Sequence, residues 1–273
     1  MTGHRDTAQP PASAYLALHD GSYRATALTR GPWDPKHQHA GPPIALAARA
    51  IERVAARLEL THIARLTANL LRPIPIGRLA IEVQTDYAGR NAAHFSATLN
   101  AGGKEVARFT ALVQRETEVT FPAELTGHPL PQAPRPVEQS AAAKFPFDAT
   151  QTGYQDFIDS RVAEGRMFRG PSAVWIRMQY PLVAGEEPSA FQRVAVAADS
   201  TNGISAVLDF RHYVFVNADL TINLLRVPRG EWICLEARTL LGPRGGGLAE
   251  ARIFDASGLV GRATQSLSIR VRG

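Results

Sequence analysis

Two polar side chains fall on positions that the local pattern assigns to a protein core. Asp199 continues the apolar stripe of a predicted helix, eight residues after Phe191, and Gln265 shares one face of a predicted strand with four apolar residues. A carboxylate or an amide in a core is costly unless it is paired, hydrogen-bonded or functional. A positioned carboxylate can act as a general base, so hydrolytic chemistry is one interpretation. The alternatives are structural: Asp199 reaches solvent or caps a turn at the helix end, and Gln265 satisfies a sheet edge.

A repeat allows the two halves of the chain to be compared. The pattern Leu-Thr-x-Asn-Leu-Leu-Arg occupies residues 66–72 and returns at residues 220–226, 154 positions later. A constant offset indicates a tandem duplication. At that offset Gln265 corresponds to Ala111, so the first half has an apolar residue where the second has an amide. The amide is therefore a candidate for function rather than for the shared fold.

Asn217 is a third candidate, and its counterpart in the first half is Ile63, which is again apolar. The two-residue period of a strand places Asn217 on the same face as Thr221, opposite the apolar face. Asn217 reaches the pocket of Asp199 only if it precedes regular pairing or lies at a bulge. Thr221 is the nearest hydroxyl and a candidate for substrate binding, although its duplicate Thr67 favours a structural role.

His39 and Gly41 lie where the first long helix is predicted to begin. Unpaired amides and the positive end of the helix dipole make a helix start a site for an oxyanion or a carbonyl oxygen. We therefore expect both residues to bind substrate, with an ordinary loop position as the alternative for His39. Arg49, Arg53 and Arg57 form a basic row on the polar face of this helix, which predicts either a solvated face or a site for phosphate groups.

The predicted elements repeat as one long helix followed by four antiparallel strands, which gives an α+β class with one helix covering one curved sheet. The helices cover residues 41–58 and 188–201, and their apolar positions are three and four residues apart. A shorter opening strand precedes each helix, at 23–28 and 174–180. The remaining strands are 62–72, 78–88, 91–101, 104–115, 212–226, 231–241, 247–255 and 259–271.

The composition fits a globular protein, with 45% apolar and 20% charged residues over 273 positions. No apolar run is long enough to span a bilayer, and no basic cluster interleaved with aromatic residues indicates nucleic-acid binding. The single cysteine, Cys234, excludes an internal disulfide, which fits a reducing cytoplasm. Because it lies in the apolar stretch Trp232-Ile-Cys-Leu, we expect its thiol to be buried. The motifs of serine hydrolases, zinc proteases and dinucleotide-binding proteins are missing, and we predict neither a metal nor a cofactor.

Four motifs along the chain resemble those of one family. They are Gly31-Pro-Trp-Asp-Pro35, Gln38-His-Ala-Gly-Pro-Pro43 before an alanine-rich helix, Val174-Trp-Ile-Arg177, and Ala263-Thr-Gln265. With this order and spacing, over about residues 20–271, the chain resembles the TesB-like acyl-CoA thioesterases. The resemblance implies a double hotdog, that is, two tandem hotdog units, each a long helix packed on an antiparallel sheet.

The resemblance and the repeat together divide the chain into three parts. An N-terminal unit covers 15–115, a proline-rich linker covers 116–170, and a C-terminal unit that carries the polar site covers 171–273. Residues 1–14 are polar and predicted to be disordered. Because hotdog units usually pair through their sheets, we expect a homo-oligomer, a dimer or larger, with acyl-CoA as its partner and no membrane or nucleic acid.

The resemblance also gives roles to the candidate residues. In the family, an aspartate on the second helix positions the attacking water and a glutamine on the last strand orients it; Asp199 and Gln265 match them. Asn217 stands where the family has a threonine. The helix start near Gly41 would stabilise the oxyanion. The implied reaction is hydrolysis of an acyl-CoA thioester to a free acid and CoA, which needs no metal or redox cofactor because a thioester is already activated.

Two other functions remain open on the sequence. Asp199-Ser-Thr-Asn202 faintly resembles the start of the hotdog enoyl-CoA hydratase motif, but the histidine that should follow is missing, and His212 comes ten residues after Asn202. The other alternative is a non-catalytic acyl-CoA or lipid-binding protein that lost turnover when the family threonine became Asn217. Binding without thiol release would distinguish this alternative from the enzymes.

Overall fold

The segment just before the first strand is held by contacts with the second half of the chain. The structure, a computed structural model, describes residues 11–126, 130–146 and 150–272, so residues 1–10 of the predicted disordered segment lie outside the described residues. Ala14 and Tyr15 are fully buried, and the Ala14 N–H donates to the carbonyl of Pro181. The prediction of disorder is therefore wrong at residue 14, because tertiary contacts with the second half hold this short segment.

In the part of the chain that the structure describes, two long α-helices match the predicted ones and three further α-helices are single turns. Helix α1 (Gly41–Ala55) continues as a 3-10 turn over Ala56–Leu58, which confirms the predicted helix over 41–58. Pro42 and Pro43 lie in its first turn, where a missing N–H costs nothing. None of the helices in the described ranges is long and apolar enough to cross a membrane. The helices are α1 (Gly41–Ala55), α2 (Ala123–Thr126), α3 (Tyr154–Phe157), α4 (Ala190–Ala198) and α5 (Thr201–Ile204).

The predicted strands are present in order in both halves, together with three that were not predicted, at Tyr15–Ala17, Ala141–Ala143 and Ile158–Gly165. The opening strand predicted over 23–28 ends at Ala25 and is followed by a 3-10 turn. The first half contains β1 (Tyr15–Ala17), β2 (Tyr23–Ala25), β3 (His62–Leu70), β4 (Arg78–Ala88), β5 (Ala92–Ala101) and β6 (Lys104–Gln114). The second half contains β7 (Ala141–Ala143), β8 (Ile158–Gly165), β9 (Ser172–Met178), β10 (Tyr213–Asn217), β11 (Asp219–Leu224), β12 (Ile233–Leu241), β13 (Gly246–Asp255) and β14 (Gly258–Val271). The strand predicted over 212–226 is thus divided into β10 and β11, with only Ala218 between them.

All the named strands join one antiparallel sheet. Its order is β1-β2-β4-β5-β6-β3-β11-β14-β13-β12-β9-β8-β7, with β10 also paired to β14. Outward from the central pair β3 and β11, the two halves have the same strand order. Beside each central strand lies the last strand of its half, β6 or β14, followed by the other strands of the meander and then by the opening strand, β2 or β9. Thr67 faces Thr221 across the central pair, and their hydroxyl oxygens are 3.1 Å apart.

The core lies between the sheet and the two long helices, which pack against each other. Helix α1 contacts β3 to β6, and α4 contacts β9, β11 and β12. A fully buried Val, Leu, Ile or Phe side chain contributes about 1.5–3 kcal/mol to the stability of the fold relative to an exposed one. Cys234 is buried, as expected, in a smaller cluster with Trp175 and Phe254. Core side chains of the helices and the first meander include Ile44, Leu46, Ile51, Val194, Phe95 and Phe109.

The segment predicted as a linker contributes to the sheet. Within 116–170, β7 and β8 extend the sheet beyond β9, and α3 precedes β8. The apolar pattern did not predict β8 because this strand lies near the edge of the sheet and only some of its positions are buried. Its sequence therefore shows no clear apolar alternation. Residues 127–129 and 147–149 of this segment lie outside the described residues.

The basic row of α1 joins the halves rather than facing solvent throughout. Arg49 is buried, its guanidinium binds both carboxylate oxygens of Glu186, and it also donates to the hydroxyl of Tyr23 at 2.8 Å. Arg53 approaches Glu186 to 3.6 Å, whereas Arg57 is exposed. The predicted solvated face is therefore wrong for Arg49, because Glu186 comes from the loop that precedes α4 and packs against α1.

We expect Arg49→Met to lower the free energy of unfolding by about 1–3 kcal/mol, the range for losing hydrogen bonds to a charged group. The matched control is Arg57→Met on the same helix, which should change stability by less than about 0.5 kcal/mol because its side chain is exposed. Urea unfolding of both variants measures the difference. Equal losses in the two variants would contradict the role given to the Arg49–Glu186 pair.

Candidate active site

Asp199 lies at the C-terminal end of α4, and its side chain points inward as the helix pattern predicts. Phe191, Val194 and Ala198 form the buried stripe that precedes it. The Asp199 side chain is 4% exposed, and it lies at the wall of a cavity of about 620 Å³ between the two halves. The structural alternative of a solvent-facing carboxylate is excluded.

Three side-chain donors surround the Asp199 carboxylate. Nδ1 of His39 is 2.9 Å from Oδ2, and Nδ2 of Asn217 is 2.9 Å from Oδ1. Nε2 of Gln265 is 3.4 Å from Oδ1 and 3.2 Å from the Asp199 carbonyl oxygen. The backbone amide of Gly41 is directed at the His39–Asp199 pair, with its nitrogen 3.2 Å from Nδ1 of His39. Five of the six residues predicted for the site are thus brought together, all but Thr221.

Burial and hydrogen bonding act in opposite directions on this carboxyl group. Burial raises the pKa of Asp199, but the interactions with His39, Asn217 and the Gly41 amide outweigh it and bring the pKa below its usual value. Asp199 is therefore ionised at neutral pH. A buried charge of this kind is tolerated because donors surround it.

A β-bulge brings Asn217 to Asp199. On β14, Asn217 faces Leu267 while Thr221 faces Thr264, so four steps along one strand match three along the other. The extra residue is Ala218, and it reverses the alternation of faces. The simple parity that placed Asn217 on the face of Thr221 is therefore wrong, and the bulge that the sequence left open is present.

Gln265 lies behind Asp199 rather than at the cavity wall. It is 0% exposed, its Oε1 accepts from the Asn202 amide at 2.8 Å, and its Nε2 is directed at Asp199. This arrangement holds the aspartate in place. The corresponding Ala111 and Ile63 of the first half are buried apolar residues, so these two counterparts of the polar set are not polar.

Gly41 and His39 place the start of α1 against α4. A Cβ atom on Gly41 would lie 2.7 Å from the carbonyl oxygen of Val196, so only glycine permits this approach. The ring of His39 stacks on Tyr154 with centroids 3.7 Å apart and planes within 1°. The Tyr154 hydroxyl donates to the same Val196 carbonyl at 2.8 Å and lies 2.9 Å from Ser200 Oγ.

Tyr154 was not predicted as part of the site. It belongs to α3, inside the segment predicted as a linker. Nothing in the surrounding residues indicated its contact with His39, because that contact depends on how α3 packs beside the start of α1. Burial raises its pKa, so the phenol stays protonated.

Thr221 is not brought to Asp199. Its hydroxyl pairs with Thr67 at the centre of the sheet, and it does not line the cavity. These contacts support the structural role that the repeat suggested, and they do not support the prediction that Thr221 binds substrate. The pair forms because both copies carry the threonine at the same position of adjacent antiparallel strands.

The start of α1 offers fewer amide donors than its position suggested. Pro42 and Pro43 have no N–H, and the Gly41 amide is directed at the His39–Asp199 pair. Within the described part of the chain, the Ala40 amide has no hydrogen-bond partner, and Ala40 lines the cavity. The start of α1 thus has one amide without a partner beside the cavity, that of Ala40, among the residues that the structure describes.

The rest of the cavity is largely apolar, with a basic rim. Three exposed arginines, Arg72, Arg270 and Arg272, line it on the solvent side. No group of three or more His, Cys, Asp or Glu side chains in the described ranges could hold a metal ion. Aromatic residues that line the cavity are Trp33, Phe145, Phe168, Phe210 and Phe215.

Comparison with family models identifies the family of the chain. The N-terminal domain of acyl-CoA thioesterases matches residues 29–114, and the C-terminal domain matches residues 131–269. The chain belongs to the acyl-CoA thioesterase family. It is a thioester hydrolase that acts on acyl-CoA. No curated protein matches the sequence.

Solved structures of similar shape agree with this thioesterase fold. A protein assigned as a thioesterase II from Thermobifida fusca superposes with a TM-score of 0.72 at 16% identity, over 95% of this chain and 96% of that one. A hotdog-fold protein from Alicyclobacillus acidocaldarius gives 0.71 at 16% identity, over 96% and 97%. An acyl-CoA thioesterase II from Mycobacterium marinum gives 0.67 at 17% identity, over 95% and 96%. At these identities the likeness shows the hotdog fold.

The close contact at Gly41 leads to a test in this thioesterase. We expect Gly41→Ala to push the start of α1 away from Val196 and to lower kcat by about 10-fold or more, since small displacements of positioned groups are costly. Gly77→Ala is the control, because a Cβ there meets nothing within 4 Å. Thiol release and melting temperature are measured for both. Wild-type kcat in Gly41→Ala would show that the contact is not needed for positioning.

Proposed function

We propose that this chain hydrolyses its acyl-CoA substrate at the cavity wall where Asp199, His39 and Asn217 meet. The observation that carries the proposal is an ionised carboxylate, 4% exposed, held by donors from both halves beside an apolar cavity. A thioester needs a placed water molecule and a donor for the developing oxyanion. The Asp199 group supplies the first of these, and the free Ala40 amide supplies the second.

The chain consists, in this proposal, of two tandem hotdog units at about 15–115 and 171–273, with 116–170 between them. Support comes from the matching strand order on either side of β3 and β11. Because β8 (158–165) pairs with β9, the second unit includes part of the intervening segment. Each unit supplies one side of the reaction site, His39 from the first and Asp199 from the second.

Substrate placement follows from the two kinds of cavity wall. The acyl group lies among the aromatic residues, where burial of apolar surface favours binding. The CoA phosphates face Arg72, Arg270 and Arg272 at the rim, since guanidinium groups pair well with phosphate. A cytoplasmic location, a role in fatty acid metabolism and pairing into a homo-oligomer through the sheets accompany this proposal as expectations.

The rival functions have less support. His212, the only nearby histidine that could complete a hydratase motif after Asn202, is exposed in the turn before β10. The alternative of a binding protein without turnover depended on Asn217 standing where the family has threonine, and the match to both thioesterase domains speaks against it. Thermal stabilisation by acyl-CoA without thiol release would identify that function.

Thiol release from short, medium, long and aromatic acyl-CoAs tests the proposal directly. Asp199→Asn should lower kcat by about 10²–10⁴ on the best substrate, the usual worth of a positioned acid–base group. Asp86→Asn is the control, because Asp86 is exposed on β4 and should leave kcat unchanged. If Asp199→Asn leaves thiol release from every acyl-CoA unaltered, the reaction site is elsewhere.

Asn217 has its own test. Asn217→Ala removes a hydrogen bond to a charged group and should lower kcat by about 10- to 100-fold, which corresponds to 1.5–3 kcal/mol. Asn217→Thr, which restores the family residue, keeps a hydroxyl donor and should lose less. Asn223→Ala on the exposed face of β11 is the matched control. Unchanged kcat in Asn217→Ala would remove Asn217 from the site.

A further inference from the structure

Side-chain donors already occupy most of the acceptor positions of the Asp199 carboxylate. An ionised carboxylate has about four lone-pair sites. Asn217 and Gln265 donate to Oδ1, and His39 donates to Oδ2. The surrounding interactions also bring its pKa below the usual value. A carboxylate with most of its sites occupied and a lowered pKa is a poor group to take a proton from water.

His39 has the free nitrogen that Asp199 lacks. Because the ionised carboxylate only accepts hydrogen bonds, Nδ1 of His39 must carry the proton in their 2.9 Å contact. The Gly41 N–H also points at this Nδ1, at 3.2 Å, but the contact with the carboxylate is shorter and charge-assisted, so it determines where the proton lies. The lone pair of neutral imidazole is then on Nε2. Nε2 has no hydrogen-bond partner among the described residues, and His39 lines the cavity.

The orientation of the His39 ring is fixed on both sides. Asp199 holds its Nδ1 edge, and Tyr154 stacks on its face with centroids 3.7 Å apart. Tyr154 is itself anchored by hydrogen bonds from its hydroxyl to Val196 and Ser200. An imidazole that is oriented by a carboxylate, with its second nitrogen free, has the arrangement that general-base histidines use.

We propose that His39 is the catalytic group that moves the proton, and that Asp199 is a positioning residue that acts through it. Nε2 takes a proton from water while the water oxygen bonds to the thioester carbonyl carbon. The imidazolium then gives that proton to the sulfur as the carbon–sulfur bond breaks. The products are the free acid and CoA thiol, and no further reactant is needed. This inference rests on the proposed reaction site.

Two substitutions of His39 separate its two nitrogens. His39→Asn keeps an N–H close to the Nδ1 position, where it can still donate to Asp199, but removes Nε2. His39→Ala removes both. We expect each to lower kcat by about 10²–10⁴, the worth of a general base. Wild-type kcat in His39→Asn, with loss only in His39→Ala, would overturn the proposal, because His39 would then serve only to anchor Asp199.

A double substitution tests whether Asp199 acts through His39. In the His39→Asn background, Asp199→Asn should have almost no further effect, since residues that act as a unit are not additive. The full loss seen for Asp199→Asn alone, repeated in that background, would show that Asp199 takes the proton itself. Melting temperatures of all variants verify that each is folded.

Chemical rescue gives a readout that a structural role cannot produce. Added imidazole should restore thiol release to folded His39→Ala in a saturable way and should have no effect on Asp199→Asn. Absence of any rescue in folded His39→Ala counts against the proposal. If Asp199→Asn is inactive while His39→Asn is active, only this inference fails. If both are fully active, the proposed reaction site fails with it.

Discussion

The contact between the start of α1 and the backbone of α4 is the constraint on which the site depends. Gly41 lies so close to the Val196 carbonyl that no side chain fits between them. This approach brings His39, from the first half, to Asp199, which follows α4 in the second half. The Tyr154 hydroxyl binds the same carbonyl and supports the ring of His39. A packing requirement at one glycine therefore determines the geometry of a polar group made from distant parts of the chain.

The second requirement is electrostatic. Burying a carboxylate without partners would cost several kcal/mol or force it to take up a proton. Here the donors come from the start of α1, from the end of β10 and from β14. Movement of any one of these elements would leave the buried charge with fewer hydrogen-bond donors. The bulge at Ala218 is part of this solution, because regular pairing of a continuous strand would direct Asn217 away from Asp199. An irregularity in the sheet thus provides the buried carboxylate with one of its hydrogen-bond donors.

The two halves share one plan but differ in what they bury. Where the second half has Asn217 and Gln265, the first has Ile63 and Ala111. Near the other end of α1, Glu52 binds Ser189 and Gln192 at the start of α4, and burial raises its pKa. That carboxyl group caps and joins the helices. The two halves therefore have similar strand orders, and at these two positions only the second half has polar residues.

Much of this arrangement could be predicted from the sequence, because it depends on local periodicity. The inward direction of Asp199 and Gln265, the two long helices and the hairpins of both meanders all follow from spacing alone. The proline pair after Gly41 also carried a signal: two residues without N–H leave a helix start with few donors for an oxyanion. The contact of Tyr154 with His39, the bulge at Ala218 and the strand β8 could not be predicted in this way. Periodicity states which face of an element a residue occupies, whereas the pairing of His39 with Asp199 depends on how two elements approach each other. For this reason the sequence indicated a carboxylate that needed partners, and only the packing of α1 on α4 showed that His39 is one of them and that it lies at the cavity wall.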